Sequence, residues 1–388
     1  DVALKEEGVA ELLPAADLVV FDEAHQLPDI ATMLLGQTIS TGQCQEFLRD
    51  LLIEGRTSGA DAGDWNAVLS PLEQTLKDIR LAVGSEVENA RLSVTQFDQM
   101  RSRRELCLKF GQQLEGLLDQ LEPLASRSEA WLKLSGRAGE LCHAWLQWFE
   151  QTAMKQLDSP ASVHWVNVSA HNVQFCESPL DVAQAFSTLY EQQPKSWVFT
   201  SATLSVKDDL SHFSQRLGLE EANQLMLPSP FDYENQALMC VPDCLPLPNA
   251  PRFSDSLCEA LWPLLEVSDG GVFFLCTSHR AVQYIAQYLR NRIETESLDW
   301  TLLVQGEFSR AELLERFKAS DKPVLVGAAS FWEGVDIRGH SLRLVVIDKL
   351  PFAPPDDPVF QARSEAVQKA GRNPFMDLSV PDAAIALK

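Results

Sequence analysis

A short apolar run that leads directly into acidic residues constrains the fold of this chain more than any other stretch. Residues 18–21 read Leu-Val-Val-Phe, and residues 22–25 read Asp-Glu-Ala-His. Such a run is typical of a buried strand in a parallel sheet, where ligands bind beyond the carboxyl ends of the strands. Adjacent carboxylates are costly to bury unless a cation or a proton neutralises them. The pattern therefore indicates a magnesium–nucleotide site, with Mg²⁺ on Asp22 and the attacking water on Glu23; the alternative is a helix N-terminus with acids near its positive end.

The composition excludes several classes of protein. The chain has 388 residues, of which 45% are hydrophobic and 22% charged, a balance typical of globular proteins with two or three domains. No apolar stretch approaches the roughly 20 residues needed to span a bilayer, and the first residues lack the pattern of a secretory signal. The eight cysteines show no spacing typical of metal ligands. We therefore expect a cytoplasmic protein that is not bound to membranes and whose thiols are reduced.

The net charge of −23 argues against a simple basic nucleic-acid-binding protein. The basic residues are unevenly spread, however. Of the 32 lysines and arginines, 28 lie in segments 41–165 and 236–388, where a local groove could still be positive. Arg101, Arg103 and Arg104 form a basic cluster in the first of these segments. They lie either on a solvated helix face or against a nucleic-acid backbone.

Residues 41–158 follow a helical period. Leucines and aromatic residues recur at spacings of three and four within 114–121 and 141–149, which predicts amphipathic helices. This stretch separates the strand at 18–21 from a further predicted strand at 196–199. We therefore expect an all-helical domain inserted into a domain that contains a parallel sheet.

The strand at 196–199 ends in Thr-Ser-Ala-Thr-Leu at 200–204. Small hydroxyl residues at the end of a strand suit hydrogen bonding to a neighbouring carboxylate. An ordinary turn with a helix cap is the alternative, and the acidic residues at 22–25 favour the first interpretation.

Strands and helices alternate in the last third of the chain, after a proline-rich stretch at 242–251. This alternation, with apolar strands, predicts a parallel sheet covered by helices on both faces. Two polar segments follow strands of this sheet, Cys-Thr-Ser at 276–278 and the glycine-containing loop 327–339. Glycines here allow the backbone to approach phosphates closely. Trp332 either stacks on a base or packs in the core.

The order of these motifs resembles that of the DinG/XPD family of superfamily 2 DNA helicases. Segments 22–25, 200–204, 276–278 and 327–339 resemble helicase motifs II, III, IV and V. Two further strings, Ser-Pro-Phe-Asp-Tyr at 229–233 and Leu-Pro-Phe-Ala-Pro-Pro-Asp-Asp-Pro at 350–358, resemble the bacterial DinG/YoaA branch, and the YoaA-like subgroup is preferred.

The resemblance implies an α/β protein with RecA-like parallel-sheet lobes and an inserted, all-helical, Arch-like domain. It implies an ATP-dependent 5′–3′ DNA helicase that uses ATP and Mg²⁺, with a [4Fe–4S] cluster in the intact protein. The implied partners are single-stranded and forked DNA and proteins of replication or repair. The implied site residues are Asp22, Glu23 and His25 for catalysis, with Mg²⁺ on Asp22; Ser201 and Thr203 for coupling; Glu333, Gly334 and Asp336 at the nucleotide and lobe interface; and Thr277, Ser278 and Ser330 for DNA. To these DNA-binding residues we add Trp332, from its potential to stack on a base, and Arg101, Arg103 and Arg104, from their positive charge.

Three expected features have no counterpart in the sequence: a GxxxxGK[ST] loop, four cluster cysteines before motif II, and the arginine-bearing motif VI. We therefore expect a fragment of a larger helicase that is inactive alone. A non-catalytic nucleic-acid-binding adaptor derived from a helicase is the alternative. The predicted domains are 1–40 and 159–238 for the first lobe, 41–158 for the insert and 239–388 for the second lobe, truncated before motif VI.

Overall fold

The computed structural model describes residues 16–59, 61, 63–84, 90–153, 162–191, 196–337 and 339–387. The strands are β1 (Leu18–Phe21), β2 (Gln37–Ser40), β3 (Ala90–Ser93), β4 (Ser162–Val168), β5 (Val173–Pro179), β6 (Ser196–Phe199), β7 (Val272–Leu275), β8 (Thr301–Val304), β9 (Pro323–Gly327) and β10 (Leu344–Ile347). The α-helices are α1 (Leu27–Leu34), α2 (Thr41–Ser58), α3 (Trp65–Val83), α4 (Val94–Asp98), α5 (Arg101–Leu121), α6 (Glu129–Ala153), α7 (Ala183–Glu191), α8 (Ser211–Leu217), α9 (Tyr233–Gln236), α10 (Phe253–Ser268), α11 (His279–Thr295), α12 (Arg310–Ala319), α13 (Pro358–Lys369) and α14 (Val380–Leu387). Short 3₁₀ turns include Ala24–Gln26 and Ala329–Phe331.

The described residues form two compact units. The first contains the chain up to Gln224 together with Ala353–Pro381, and the second contains Leu225–Phe352 with the residues from Asp382 onward. The return of Ala353–Pro381 to the first unit is visible in an ion pair at 2.9 Å between Asp357 Oδ2 and Arg91 Nη1. The sequence placed this segment in the second lobe, and the predicted lobe boundaries stay a prediction.

The apolar run that opens the sequence argument forms strand β1, which pairs with β6 in parallel register from Leu18↔Ser196 to Phe21↔Phe199. The strand and its direction are therefore as predicted, but its expected burial is wrong within the described residues. Leu18 and Val20 are 54% and 56% exposed. Leu18 and Val20 alternate with Val19 and Phe21, so they share one face of the two-stranded sheet β1-β6, and the described residues leave that face largely uncovered.

The inserted segment is mostly helical, as predicted, but it is not all-helical. Strand β3 lies within it and pairs antiparallel with β4, in a sheet of order β2-β5-β4-β3. Helices α2 to α6 pack with this sheet around a buried aromatic core that includes Trp145, Phe110 and Phe175. Strand β3 gave no signal because Leu92 is its single buried residue, so there is no alternating apolar pattern.

The second unit contains the predicted parallel sheet, in the order β10-β7-β9-β8. The central strands β7 and β9 are buried along their whole length. Val272 and Phe274 of β7 pack against α10 and α11, whereas Phe273 and Leu275 pack with Phe317 of α12 in a separate cluster. Helices therefore cover both faces of the sheet, and the prediction is confirmed.

Within the described residues, none of the helices has the length and apolar character that crossing a membrane requires.

Candidate functional site

The acidic motif and the hydroxyl segment meet where β1 and β6 end. Because the strands are parallel, their carboxyl ends lie at the same edge of the sheet. Backbone hydrogen bonds continue past the strands: the Thr200 amide donates to the Phe21 carbonyl at 2.8 Å, and the Ala24 amide donates to the Thr200 carbonyl at 2.9 Å. These bonds hold the two loops side by side.

Each acidic side chain accepts a hydrogen bond from a hydroxyl of the other loop. Thr200 Oγ1 donates to Asp22 Oδ1 at 3.0 Å, and Ser201 Oγ donates to Glu23 Oε2 at 3.2 Å. The expected bonding between strand-end hydroxyls and a neighbouring carboxylate is thus present. The Glu23 amide also donates to Asp22 Oδ1, at 3.0 Å, whereas Asp22 Oδ2 accepts no hydrogen bond from the described residues. That oxygen is the one available to a metal ion or its water shell.

The Ser201 hydroxyl lies at the centre of a small hydrogen-bond network. Its Oγ lies 3.0 Å from His25 Nδ1 and accepts from the Thr203 amide at 3.2 Å. A hydroxyl has one proton, so donation to Glu23 requires that His25 carry its proton on Nδ1 and act as donor. His25 Nδ1 is also 3.4 Å from Glu23 Oε2. The predicted residues Glu23, His25, Ser201 and Thr203 are therefore in direct contact.

The backbone at Glu23 adopts an uncommon conformation. Its φ of 50° and ψ of 42° are left-handed, which costs a non-glycine residue on the order of 1–3 kcal/mol and is concentrated at functional sites. This turn separates strand β1 from the 3₁₀ turn that follows and leaves the Glu23 side chain 62% exposed. An exposed carboxylate beside Asp22 can reach a water molecule bound at the edge of the sheet.

The cysteines of the described residues do not fit an iron–sulfur cluster. Six of the eight are buried and unpaired, and burial raises the pKa of the Cys44 thiol to about 12, which disfavours the thiolate that a cluster needs. No group of three or more His, Cys, Asp or Glu residues in the described ranges is arranged to hold a metal ion.

A second set of predicted residues lies in the second unit, after the adjacent strands β7 and β9. The Thr277 amide donates to Asp348 Oδ1 at 2.9 Å, and Ser278 caps α11 by accepting from the Ala281 amide at 3.2 Å. Both predicted residues are exposed, whereas Asp348 is 7% exposed. Sequence reasoning missed Asp348, although it directly follows an apolar strand in the same way as Asp22.

The loop after β9 contains the remaining predicted residues of this unit. Ser330, Glu333, Gly334 and Asp336 are exposed. Trp332 is half-buried and packs against the cluster of Phe273 and Phe317, which favours the core-packing interpretation over base stacking.

Two of the three arginines in the insert's basic cluster are hydrogen-bonded within the insert itself. Arg103 is 8% exposed, and its guanidinium donates to the carbonyls of Ala82, Val83 and Phe97. It satisfies carbonyl groups at the C-terminal end of α3, a structural role that the sequence did not predict, and its assignment to a nucleic-acid backbone stays a prediction. Arg104 pairs with Asp98 at 2.8 Å and donates to the Phe149 carbonyl at 2.8 Å. Arg101 is exposed.

Comparison with known proteins identifies helicases as relatives of this chain. Residues 261–388 match the family of the helicase C-terminal domain. The ATP-dependent DNA helicase YoaA of Escherichia coli K12 is 39% identical over 388 residues, which is 100% of this chain and 59% of that protein. YoaA of Haemophilus influenzae is 36% identical over 100% of this chain and 59% of its own length, and the ATP-dependent DNA helicase DinG of Photobacterium profundum is 28% identical over 97% and 59%.

A solved structure of apo XPD has a TM-score of 0.50 and 15% identity, and covers 97% of this chain and 70% of that one. It supports an α/β fold with RecA-like helicase lobes, the class that the two parallel sheets and their polar strand ends define. The family match and these relatives together support a fragment of a DinG/XPD-family superfamily 2 helicase, as the sequence motifs predicted. The chain spans 59% of the length of these curated relatives.

Proposed function

We propose that this chain is the motif II to motif V part of a cytoplasmic, ATP-dependent DNA helicase. The whole helicase moves 5′ to 3′ along single-stranded DNA and unwinds duplexes from forked substrates. It serves replication or repair together with other proteins. The observation that carries the proposal is the hydrogen-bonded contact of Asp22 and Glu23 with Thr200 and Ser201. An adaptor that had lost ATP chemistry has no need for this contact, and the relatives named as helicases match the chain over its full length.

The side chains at this edge divide the work of ATP hydrolysis. Asp22 would hold the water shell of Mg²⁺ through Oδ2, while its Oδ1 is held in place by Thr200 and the Glu23 amide. Glu23 orients the attacking water and takes its proton, which is the role of a positioned carboxylate general base. When bound, a magnesium–nucleotide supplies the phosphoryl group and the charge that offsets the two carboxylates.

Ser201 couples this chemistry to the DNA-binding side of the protein. Because its hydroxyl bonds to Glu23 and its neighbour Thr203 lies in the same network, a shift of segment 200–204 alters the position of the general base. In the second unit, Glu333, Gly334 and Asp336 contribute to the nucleotide and lobe interface, and Thr277, Ser278 and Ser330 contact the DNA backbone.

The remaining assignments follow the domain prediction. Segments 1–40 and 159–238 belong to the first lobe, 239–388 to the second, and 41–158 to an Arch-like insert that helps to separate strands. The exposed Arg101 is the residue of the insert's basic cluster that remains available for DNA.

The experiment that tests the proposal replaces Glu23 by Gln in the full natural protein, since the 388 residues contain no GxxxxGK[ST] loop. The amide keeps the shape of the side chain but cannot accept a proton. We expect ATP and DNA binding to persist and DNA-stimulated ATP hydrolysis to fall by roughly 10²–10⁴-fold.

The matched control is Glu150→Gln on the exposed face of α6, which should hydrolyse ATP at the wild-type rate. Near-normal turnover by Glu23→Gln would show that Glu23 is not the general base. A wild-type protein with no DNA-stimulated ATP hydrolysis would overturn the proposed function as a whole.

A further inference from the structure

The loop after β9 is bound by one arginine that the sequence motifs do not contain. Arg310 is the first residue of α12, and its guanidinium donates to three backbone carbonyls of this loop. Nε donates to Ser330 at 2.8 Å, and Nη2 donates to Glu333 at 2.8 Å and to Gly334 at 3.0 Å. A single side chain therefore joins both ends of segment 330–334.

The backbone of the loop at Gly334 and the packing of Phe331 both bring the loop close to the Arg310 guanidinium. Gly334 has a φ of +65°, and a Cβ built there would lie 3.3 Å from Arg310 Nη2. Between the bonded carbonyls, Phe331 is 2% exposed, and its ring centroid lies 5.9 Å from the guanidinium carbon of Arg310. A Cβ at Gly327 would be 2.5 Å from the Phe331 ring, so the loop has little freedom to shift on its buried side.

The hydrogen bonds also determine what the loop can offer to a ligand. Carbonyl oxygens and phosphate oxygens are both acceptors, so carbonyls without a partner would repel a phosphate. Arg310 binds the three carbonyls, and the exposed Ser330 remains able to donate to an anion. A planar guanidinium can serve three acceptors in fixed directions, whereas a lysine ammonium acts as a flexible point charge.

We propose that Arg310 is the positioning residue of segment 330–334 and holds it in the form that binds the DNA backbone, without itself being a phosphate ligand. The DNA-binding part of this inference rests on the proposed function. A direct phosphate contact by Arg310 is the competing role, and the two make different predictions for charge and for geometry.

The test compares Arg310→Lys and Arg310→Ala with the wild type in the full natural protein. Affinity for an oligo-dT strand is measured by fluorescence anisotropy over a series of salt concentrations. We expect both variants to bind about ten-fold more weakly, because charge-assisted hydrogen bonds to the loop are lost in each. The slope of affinity against salt should be unchanged, because no phosphate contact is removed.

Hydrogen exchange supplies a readout that does not depend on DNA. Amides of 330–337 should exchange faster in both variants, while those of the buried strands β7 and β9 keep the wild-type rate. Arg316→Lys on the same helix is the control, since Arg316 bonds to Glu312 of its own helix at 2.7 Å, and it should leave affinity and exchange unchanged.

Wild-type affinity in Arg310→Lys, or a salt slope lowered by about one in Arg310→Ala, would assign a direct phosphate contact and overturn the inference. Unchanged exchange in segment 330–337 would overturn it as well. If the wild-type protein itself binds no DNA, the proposed function fails and this inference fails with it. If the wild type binds DNA but the Arg310 variants do not behave as expected, only the inference fails.

Discussion

Polar side chains of the insert and of the two-stranded parallel sheet's end differ in their exposure to solvent. In the insert, Arg103 is 8% exposed and donates to three carbonyls, and the indole of Trp145 is buried and donates to Cys107 O at 2.9 Å. At the sheet edge, the Glu23 side chain is 62% exposed and held by one hydroxyl. These two polar groups of the insert are buried and bonded within the fold, whereas the Glu23 carboxylate at the sheet edge is largely exposed to solvent. Substitutions in the two regions should therefore separate loss of stability from loss of activity.

The largest effect on stability is expected for Trp145→Ala in the insert. Trp145 is 0% exposed and packs against the rings of Phe110 and Phe175, with centroids 4.7 and 5.1 Å away. Truncation leaves a cavity and removes the indole hydrogen bond to Cys107 O, so we expect the free energy of unfolding in urea to fall by about 3–5 kcal/mol. Leu132→Ala, at a position of the same helix that is 60% exposed, should change it by less than about 0.5 kcal/mol. Equal effects would contradict the assignment of the insert's core.

The next effect is expected for Arg103→Met, which retains the aliphatic volume but removes every donor. The carbonyls at the end of α3 lose their partner, and we expect the free energy of unfolding to fall by about 2–3 kcal/mol. Arg101→Met, at an exposed position two residues earlier, should have almost no effect on stability. If Arg103→Met were as stable as the wild type and bound DNA with a lower salt slope, the arginine would face DNA after all.

A smaller effect on stability is expected at the sheet edge for Ser201→Ala. The variant removes the exposed hydrogen bond to Glu23, so we expect a loss of about 0.5–1 kcal/mol in urea unfolding. In the full natural protein, DNA-stimulated ATP hydrolysis should fall much more than this stability change implies. Ser126→Ala, at an exposed loop position of the first unit, controls for the loss of a hydroxyl. A purely structural role for Ser201 would appear as wild-type hydrolysis in the folded variant.

The smallest effect concerns His164 on β4, whose Nε2 lies 2.9 Å from Gln151 Oε1 and 3.7 Å from Glu177 Oε2. Desolvation lowers the pKa of His164 below its usual 6.5, although the nearby Glu177 opposes the shift. The folded state thus prefers the neutral ring, and its contribution to stability is complete above pH 6.5 and is lost as the pH falls through the folded pKa. We therefore expect the wild type to lose more stability than His164→Gln when urea unfolding is compared above and below this range. Parallel pH profiles would contradict this.

The parallel sheets and the meeting of 22–25 with 200–204 could be predicted because both follow from general rules. Apolar runs that alternate with helices give parallel strands, and parallel strands end at one edge. The same rule would have found Asp348, which follows β10. Arg310 gave no such signal, because its partners Ser330 and Gly334 lie 20 and 24 residues further along the chain and it binds their backbone rather than their side chains. The role of Arg103 was missed for the same reason, since a charge cluster in the sequence does not show which members are buried.

The pairing of β2 with β5 has a mechanical consequence for the insert. Strand β2 immediately precedes α2, the first helix of this region, and it is hydrogen-bonded to β5 from Gln37↔Glu177 to Ser40↔Gln174. Gly36 allows this close approach, because a Cβ there would lie 2.4 Å from the Glu177 carbonyl oxygen. Helix α2 therefore starts from a strand that is hydrogen-bonded into the antiparallel sheet, and not from a free loop. A rotation of α2 that also turned β2 would have to break the hydrogen bonds between β2 and β5.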